Sequence, residues 1–160
     1  MITIVEVMKA VSGMAEGLFG APPVTKDIRE GFPRPCTYLS LLSSRTAREG
    51  GLRHDTADLE LVRFAARTDQ GWIDLLRAQA ALTEALDRPI RVSDGFSVLA
   101  EEIDFDPVRE DMALYCTFSV EWYQLRDEDE DPAGSGDPME ILTVNNDEIY
   151  AKVSDCDGTA

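Results

Sequence analysis

From Cys36 to Glu49 and again from Leu52 to Arg67 the chain favours β structure, and only Gly50-Gly51 parts the two runs. Glycine tolerates the positive φ of a tight connection, so the pattern predicts one long β-hairpin. Its base is apolar, with Tyr38, Leu39, Leu41 and Leu42 opposite Leu59, Leu61, Val62 and Phe64. The distal half sets Ser43-Ser44-Arg45-Thr46-Ala47-Arg48 against Arg53-His54-Asp55-Thr56, so the tip is expected to leave the core as a projecting arm.

The lead-in to this hairpin, GFPRPCTYLSLL (residues 31–42), places an arginine between two prolines. Pro33 and Pro35 hold their own φ near about −65° and push Phe32 and Arg34 toward extended conformations, so a straight entry into the first strand is expected. Upstream, Val24 to Ile28 suits a short strand.

Two helices flank this region. Thr3 and Glu6 have capping-box spacing, and Ile4, Val7, Met8, Val11, Met14, Leu18 and Phe19 recur near a 3.6-residue period until Gly20 and Pro22-Pro23 end it. The second helix is capped by Thr68 or Asp69 and striped by Trp72, Leu75, Leu76, Leu82 and Leu86, although Gln79 and Thr83 share that face. Ile90-Arg91-Val92 reads as a short strand, Asp94-Gly95 as a turn, and Phe96–Ile103 as a weakly alternating segment. Met112–Leu125 alternates cleanly: Leu114, Cys116, Phe118, Val120 and Trp122 on one face, Tyr115, Thr117, Ser119, Glu121 and Tyr123 on the other. MEILTV and EIYAKV around Asn145-Asn146-Asp147 suit a small hairpin, which is marginal alone in water and has to dock.

The fold expected from these elements is α+β. A mixed or antiparallel sheet packs against two helices over residues 1–126, with the hairpin projecting, an acidic linker at 127–138 and a C-terminal arm at 139–160.

Charge narrows the partners. The chain of 160 residues carries a formal −16; residues 1–100 hold 12 Lys/Arg against 13 Asp/Glu, and residues 101–160 hold 3 against 18. Such a field disfavours general binding to a nucleic-acid backbone, which needs cations to release counterions. Three widely spaced cysteines, Cys36, Cys116 and Cys156, form no disulfide framework and suit a reducing compartment. The first twenty residues lack a basic n-region and carry Glu6 and Glu16, so neither a signal peptide nor a membrane span is expected.

Catalytic readings find little support. The single histidine, His54, falls on a segment expected to be solvated, and Cys36 and Cys116 fall on strand positions read as inward-facing, where cysteine usually packs as a small hydrophobe. Zinc lacks paired ligand spacing. Asp127, Asp129 and Asp131 copy the start of a calcium loop, but Pro132 and Pro138 occupy its glycine and final carboxylate places. Glu101, Glu102, Asp104 and Asp106 suit either a small acidic-site hydrolase or, with no ligand histidine or sugar platform nearby, a charge-protected strand edge. No catalytic residue, metal or cofactor is assigned.

The remaining signal is a cationic arm beside an acidic C-terminal third. A β arm that persists usually has a partner to cover it, and head-to-tail contact between copies closes a ring when the rotation permits. The residues expected at a subunit or partner contact are Arg34, Arg45, Arg48, Arg53 and His54, with Arg34 equally suited to holding its own loop.

The order helix, extended lead-in, G-F-x-R-P-C-x-Y, long hairpin, helix, two strands and Met-containing tail, from about Met1 through Val153, resembles the phage tail terminator family of tailed phages and prophages. The residues that carry it are Gly31, Phe32, Arg34, Pro35, Cys36 and Tyr38, a structural motif without catalytic content. The resemblance implies a non-enzymatic virion protein, assembled in the host cytoplasm, that closes the head-proximal end of the tail tube, commonly as a hexameric ring. It also implies the tail tube protein and a neck or head–tail connector protein as partners, with DNA only as cargo in the lumen and no membrane. The chain departs from that pattern in its unusually dense DEDED run, and the final DCDGTA has no counterpart in it. A neighbouring neck or tail-completion protein, the hydrolase above, and a monomeric inhibitor mimicking DNA are the competing readings.

Overall fold

The computed structural model describes residues 1–24 and 32–125 with their side chains, and the backbone of 141–144 and 147–150. Two compact units divide the chain, Met1–Arg126 and Asp127–Ala160. Gly31, Cys156, the segment 127–138 and most of the arm at 139–160 lie outside the described residues, as does the expected strand beyond Val24.

Helix α1 spans Ile4–Phe19 and begins on the expected capping box: the Glu6 amide donates to Thr3 Oγ1, and the Thr3 amide donates to the Glu6 carboxylate at 2.8 Å. These bonds occupy backbone donors that the first turn leaves free. Gly20, at φ 77°, ends the helix in the left-handed region. Val7, Val11 and Ala15 form the buried face, while Leu18 stays exposed on the flank.

The hairpin forms as strands β1 (Cys36–Glu49) and β2 (Leu52–Phe64), joined at Gly50-Gly51. Helix α2 follows over Asp69–Leu86, with the Thr68 hydroxyl accepting from the Gly71 amide at 3.1 Å. Gly71 is there for space as well as capping, since a β-carbon built on it would meet the Ala66 carbonyl oxygen at 2.0 Å. The buried stripe of α2 runs Gly71, Leu75, Ala78, Leu82, Leu86; the expected Leu76 lies off it and is exposed.

Strands β3 (Ile90–Ser93) and β4 (Phe96–Val98) form a small hairpin around Gly95, and β5 (Ala100–Val108) and β6 (Ala113–Leu125) complete the main sheet. That sheet has the order β1-β2-β6-β5 and is antiparallel throughout, so the chain is α+β. In the second unit β7 (Ile141–Val144) pairs antiparallel with β8 (Asp147–Tyr150).

Several expectations change on contact with the structure. The distal half of the hairpin does not stand alone, because β6 runs beside β2 as far as the Leu52–Leu125 pair and makes it a three-stranded ribbon. Its inner face stays in the core, with Asp55 3% and Ala57 1% exposed. The physical reason is that the apolar alternation of β6 persists through Val120 and Trp122, and these carry β2 with them. The lead-in is not straight: it bends at Arg34-Pro35, whose peptide bond is cis. β2 ends at Phe64 instead of Arg67. Val24 contributes a single parallel bridge to Tyr38. Cys36 is half-buried, since it shares the face of Tyr38 and alternation leaves Thr37 and Leu39 pointing into the core. Leu41 and Leu42 are exposed where a bulge between Leu41 and Ser43 shifts the register.

Both helices cover one face of the sheet. Leu39, Leu59, Leu61, Leu114, Cys116 and Phe118 meet Val7, Val11, Leu75, Leu82 and Leu86 in one core. Each fully buried Leu contributes roughly 1.5–3 kcal/mol relative to exposure. Among the described residues no helix covers the opposite face. Its rows run Ser40, Glu60, Thr117, Asp104 and then Ser43, Asp58, Ser119, Glu101 across the four strands.

Candidate assembly surface

The lead-in motif is a pin. Arg34 Nη1 donates to the carbonyl oxygens of Asp111 (2.9 Å) and Ala65 (3.1 Å) and lies 3.4 Å from that of Met112. These carbonyls belong to the β5–β6 turn and the exit from β2, so one guanidinium gathers chain from three places. Its carbon lies 5.0 Å from the centre of the Phe32 ring and 5.1 Å from that of Phe64, and the two rings meet edge-on at 4.8 Å. Several donors on a planar cation suit such a convergence of carbonyls and rings better than an ammonium would. Pro35 and Cys36 follow the bend, and Tyr38 takes the bridge from Val24. Phe64, Ala65, Asp111 and Met112, the receivers of this pin, carry no local sequence signal, because the contacts span up to 78 residues.

The four residues expected on the arm divide into two pairs. Arg53 and His54 have partners within their own chain. Arg53 Nε sits 2.8 Å from Asp55 Oδ2, and Asp55 also accepts from the Thr46 hydroxyl and from Gln124 Nε2 at 3.2 Å. Gln124 in turn clamps the first residues: its amide accepts from the Ile2 amide and donates to the Ile2 carbonyl at 2.8 Å. His54 Nε2 lies 3.0 Å from Glu121 Oε2, and its ring stacks on Tyr123 with centres 4.2 Å apart and planes 7° from parallel. Sequence reading missed Gln124, whose partner lies 122 positions away.

Arg45 and Arg48 differ. Both are exposed, and neither has an ion-pair partner among the described residues. Arg45 borders an open depression of about 290 Å³ on the helix-free face, whose walls include Ser43, Asp58, Glu101, Glu102 and Glu121. The Ser43 and Ser119 hydroxyls donate to the Asp58 carboxylate and hold its pKa below the ordinary carboxylate value, with Arg45 adding to the effect. That carboxylate therefore keeps its charge below the usual acid range.

The acids at 101–106 lie on β5, an edge strand, and all four are exposed. A bulge between Glu101 and Asp104 breaks the register, with Glu102 at φ 50°. No group of three or more His, Cys, Asp or Glu side chains among the described residues is arranged to hold a metal ion. Burial, reinforced by Asp104, pushes the Cys116 thiol up to about 12, so it packs as a hydrophobe. Burial raises Cys36 as well, against the opposing pull of Arg63 and Arg34. Among the described residues no helix is long and apolar enough to cross a membrane.

The surface is thus made of two unlike strand edges and an acidic sheet face, held on a two-helix base. A family model described as Phage tail terminator protein matches residues 6–132, most of the chain and nearly all of its first unit. The match ends before the small β7–β8 hairpin. No curated protein matches the chain.

Proposed function

Because the chain belongs to the phage tail terminator family, a family of structural components of the phage tail, we propose that it ends the tail tube at the head-proximal end. Copies form a ring, six in number by the family's common pattern, that stops tube polymerisation and gives the neck or head–tail connector a seat. The observation that carries this is the family match across residues 6–132. The geometry supports it: the four-stranded sheet has two edge strands of opposite charge, a property that suits repetition of one subunit. The molecule's task is assembly instead of catalysis. DNA meets it only as cargo, and the acidity of residues 101–160 suits a lumen that repels the duplex and lets it slide.

Tails assembled in cells lacking this chain are expected to carry tubes longer than normal and to remain unjoined to heads, with both defects reversed by supplying it. Tubes of normal length in its absence would refute the reading and favour a neck protein. Electron microscopy of the chain mixed with its tail tube protein should show one ring at one tube end. A channel wall that is basic would overturn the repelling lumen.

A further inference from the structure

The two edges of the main sheet are complementary in three respects. In charge, β1 carries Arg45 and Arg48, its single acid Glu49 standing at the turn, whereas β5 carries Glu101, Glu102, Asp104 and Asp106 and no base. In apolar surface, β1 exposes Leu41 (38%) and Leu42 (53%), while Leu99 (52%) just before β5 and Ile103 (37%) within it are open on the other side. In height, the β1 bulge at Leu41/Ser43 and the β5 bulge at Glu101/Asp104 occupy the same rows, because Ser43, Asp58, Ser119 and Glu101 align across the sheet. A shift of one subunit sideways along the sheet therefore brings the exposed leucines of one copy against Ile103 of another and Arg45 within two rows of Glu101, with Arg48 beyond the start of β5.

We infer that the distal β1 edge, Leu41–Arg45, of one copy seats against the β5 edge, Leu99–Asp104, of the next, and that this contact is the repeating joint of the ring. The inference rests on the ring reading above and names the surface it uses. Charge selects this pairing over the symmetric ones: two β1 edges would oppose arginines to arginines, and two β5 edges acids to acids. Opposite edges of one sheet mate head-to-tail, which propagates and closes a ring when the rotation permits, whereas a two-fold contact would stop at a dimer. The joint is made by side chains more than by an added strand. Pro107 lacks an amide donor, and the bulge at Glu102 interrupts the regular ladder that an incoming strand would need. On β1, Val24 already occupies the edge beside Thr37 and Leu39, and among the described residues no strand pairs with that edge beyond them.

Two full-length variants test it: Arg45→Glu, and Glu101→Lys with Glu102→Lys. Each is purified and checked for an unchanged circular dichroism spectrum. Native mass spectrometry and imaging then count rings on tubes of the tail tube protein. Each variant alone is expected to lose ring occupancy by about tenfold or more, since every joint opposes like charges. An equal mixture is expected to recover it, because alternating copies restore an acid–base contact at every joint. Variants that ring as well as the parent chain overturn the inference and leave the ring reading intact. A mixture that stays dispersed overturns the pairing of these two edges. A parent chain that forms no ring with the tube protein overturns the ring reading itself.

Discussion

The two faces of the main sheet are built by the same four strands, residue by alternate residue, yet they serve opposite ends. On one side Leu59, Leu61, Cys116 and Phe118 vanish under α1 and α2; on the other Asp58, Glu60, Thr117 and Ser119 look outward with no described helix over them. A side chain on the first face is constrained by volume, and one on the second by charge. Stability should therefore reside on the covered face and association on the open one with its edges.

That contrast can be broken most forcefully at Leu61. Leu61→Ala should lower unfolding stability by about 2–5 kcal/mol in a chemical denaturation curve, through lost burial and the cavity left behind. At the helix–sheet corner Gly71→Ala forces a methyl into the Ala66 carbonyl and should cost about 1–3 kcal/mol by the same measurement. Thr68→Ala removes the cap of α2 and should cost about 1 kcal/mol. On the open face Glu60→Gln should change stability by no more than about 0.5 kcal/mol. A large loss there would mean that the two faces are not divided as argued.

Asp58 sharpens the same comparison through pH. Its carboxyl titrates lower in the folded chain than in the unfolded one, so the stabilisation is present above the unfolded value and fades as pH falls through the folded value. The Asp58→Asn variant should melt slightly below the parent at neutral pH and converge with it in acid below the ordinary Asp range. A gap between the two melting curves that widens on acidification would contradict the sign.

Local signals were legible wherever a single stretch of chain held both partners. Thr3 and Glu6, Gly50-Gly51, Thr68, Asp94-Gly95 and the alternation from Leu114 to Trp122 all announce their structure within a few positions. The arm was legible only in part. Arg45 and Arg48 stand exposed, but Arg53 and His54 turn to Asp55 and Glu121 of their own ribbon. Nothing near His54 in sequence names β6 as its neighbour, since strand order is a choice among distant segments. Arg34 was open to two roles, and its contacts with Ala65, Asp111 and Met112 describe the inward one.

What the chain's order of residues determined alone was the set of pieces: two capped helices, a long hairpin, a half-apolar strand, and charge crowded into the last sixty positions. Capping, turn chemistry and periodicity act over a few bonds, so they can be read before anything folds. Which strand lies beside which was decided only in three dimensions. Inserting β6 between β2 and β5 pins the ribbon, leaves one face with no described helix over it and puts a basic edge and an acidic edge on opposite sides with their bulges in the same rows. Hydrogen-bonded pairing joins residues far apart along the chain, and no short stretch records its partner.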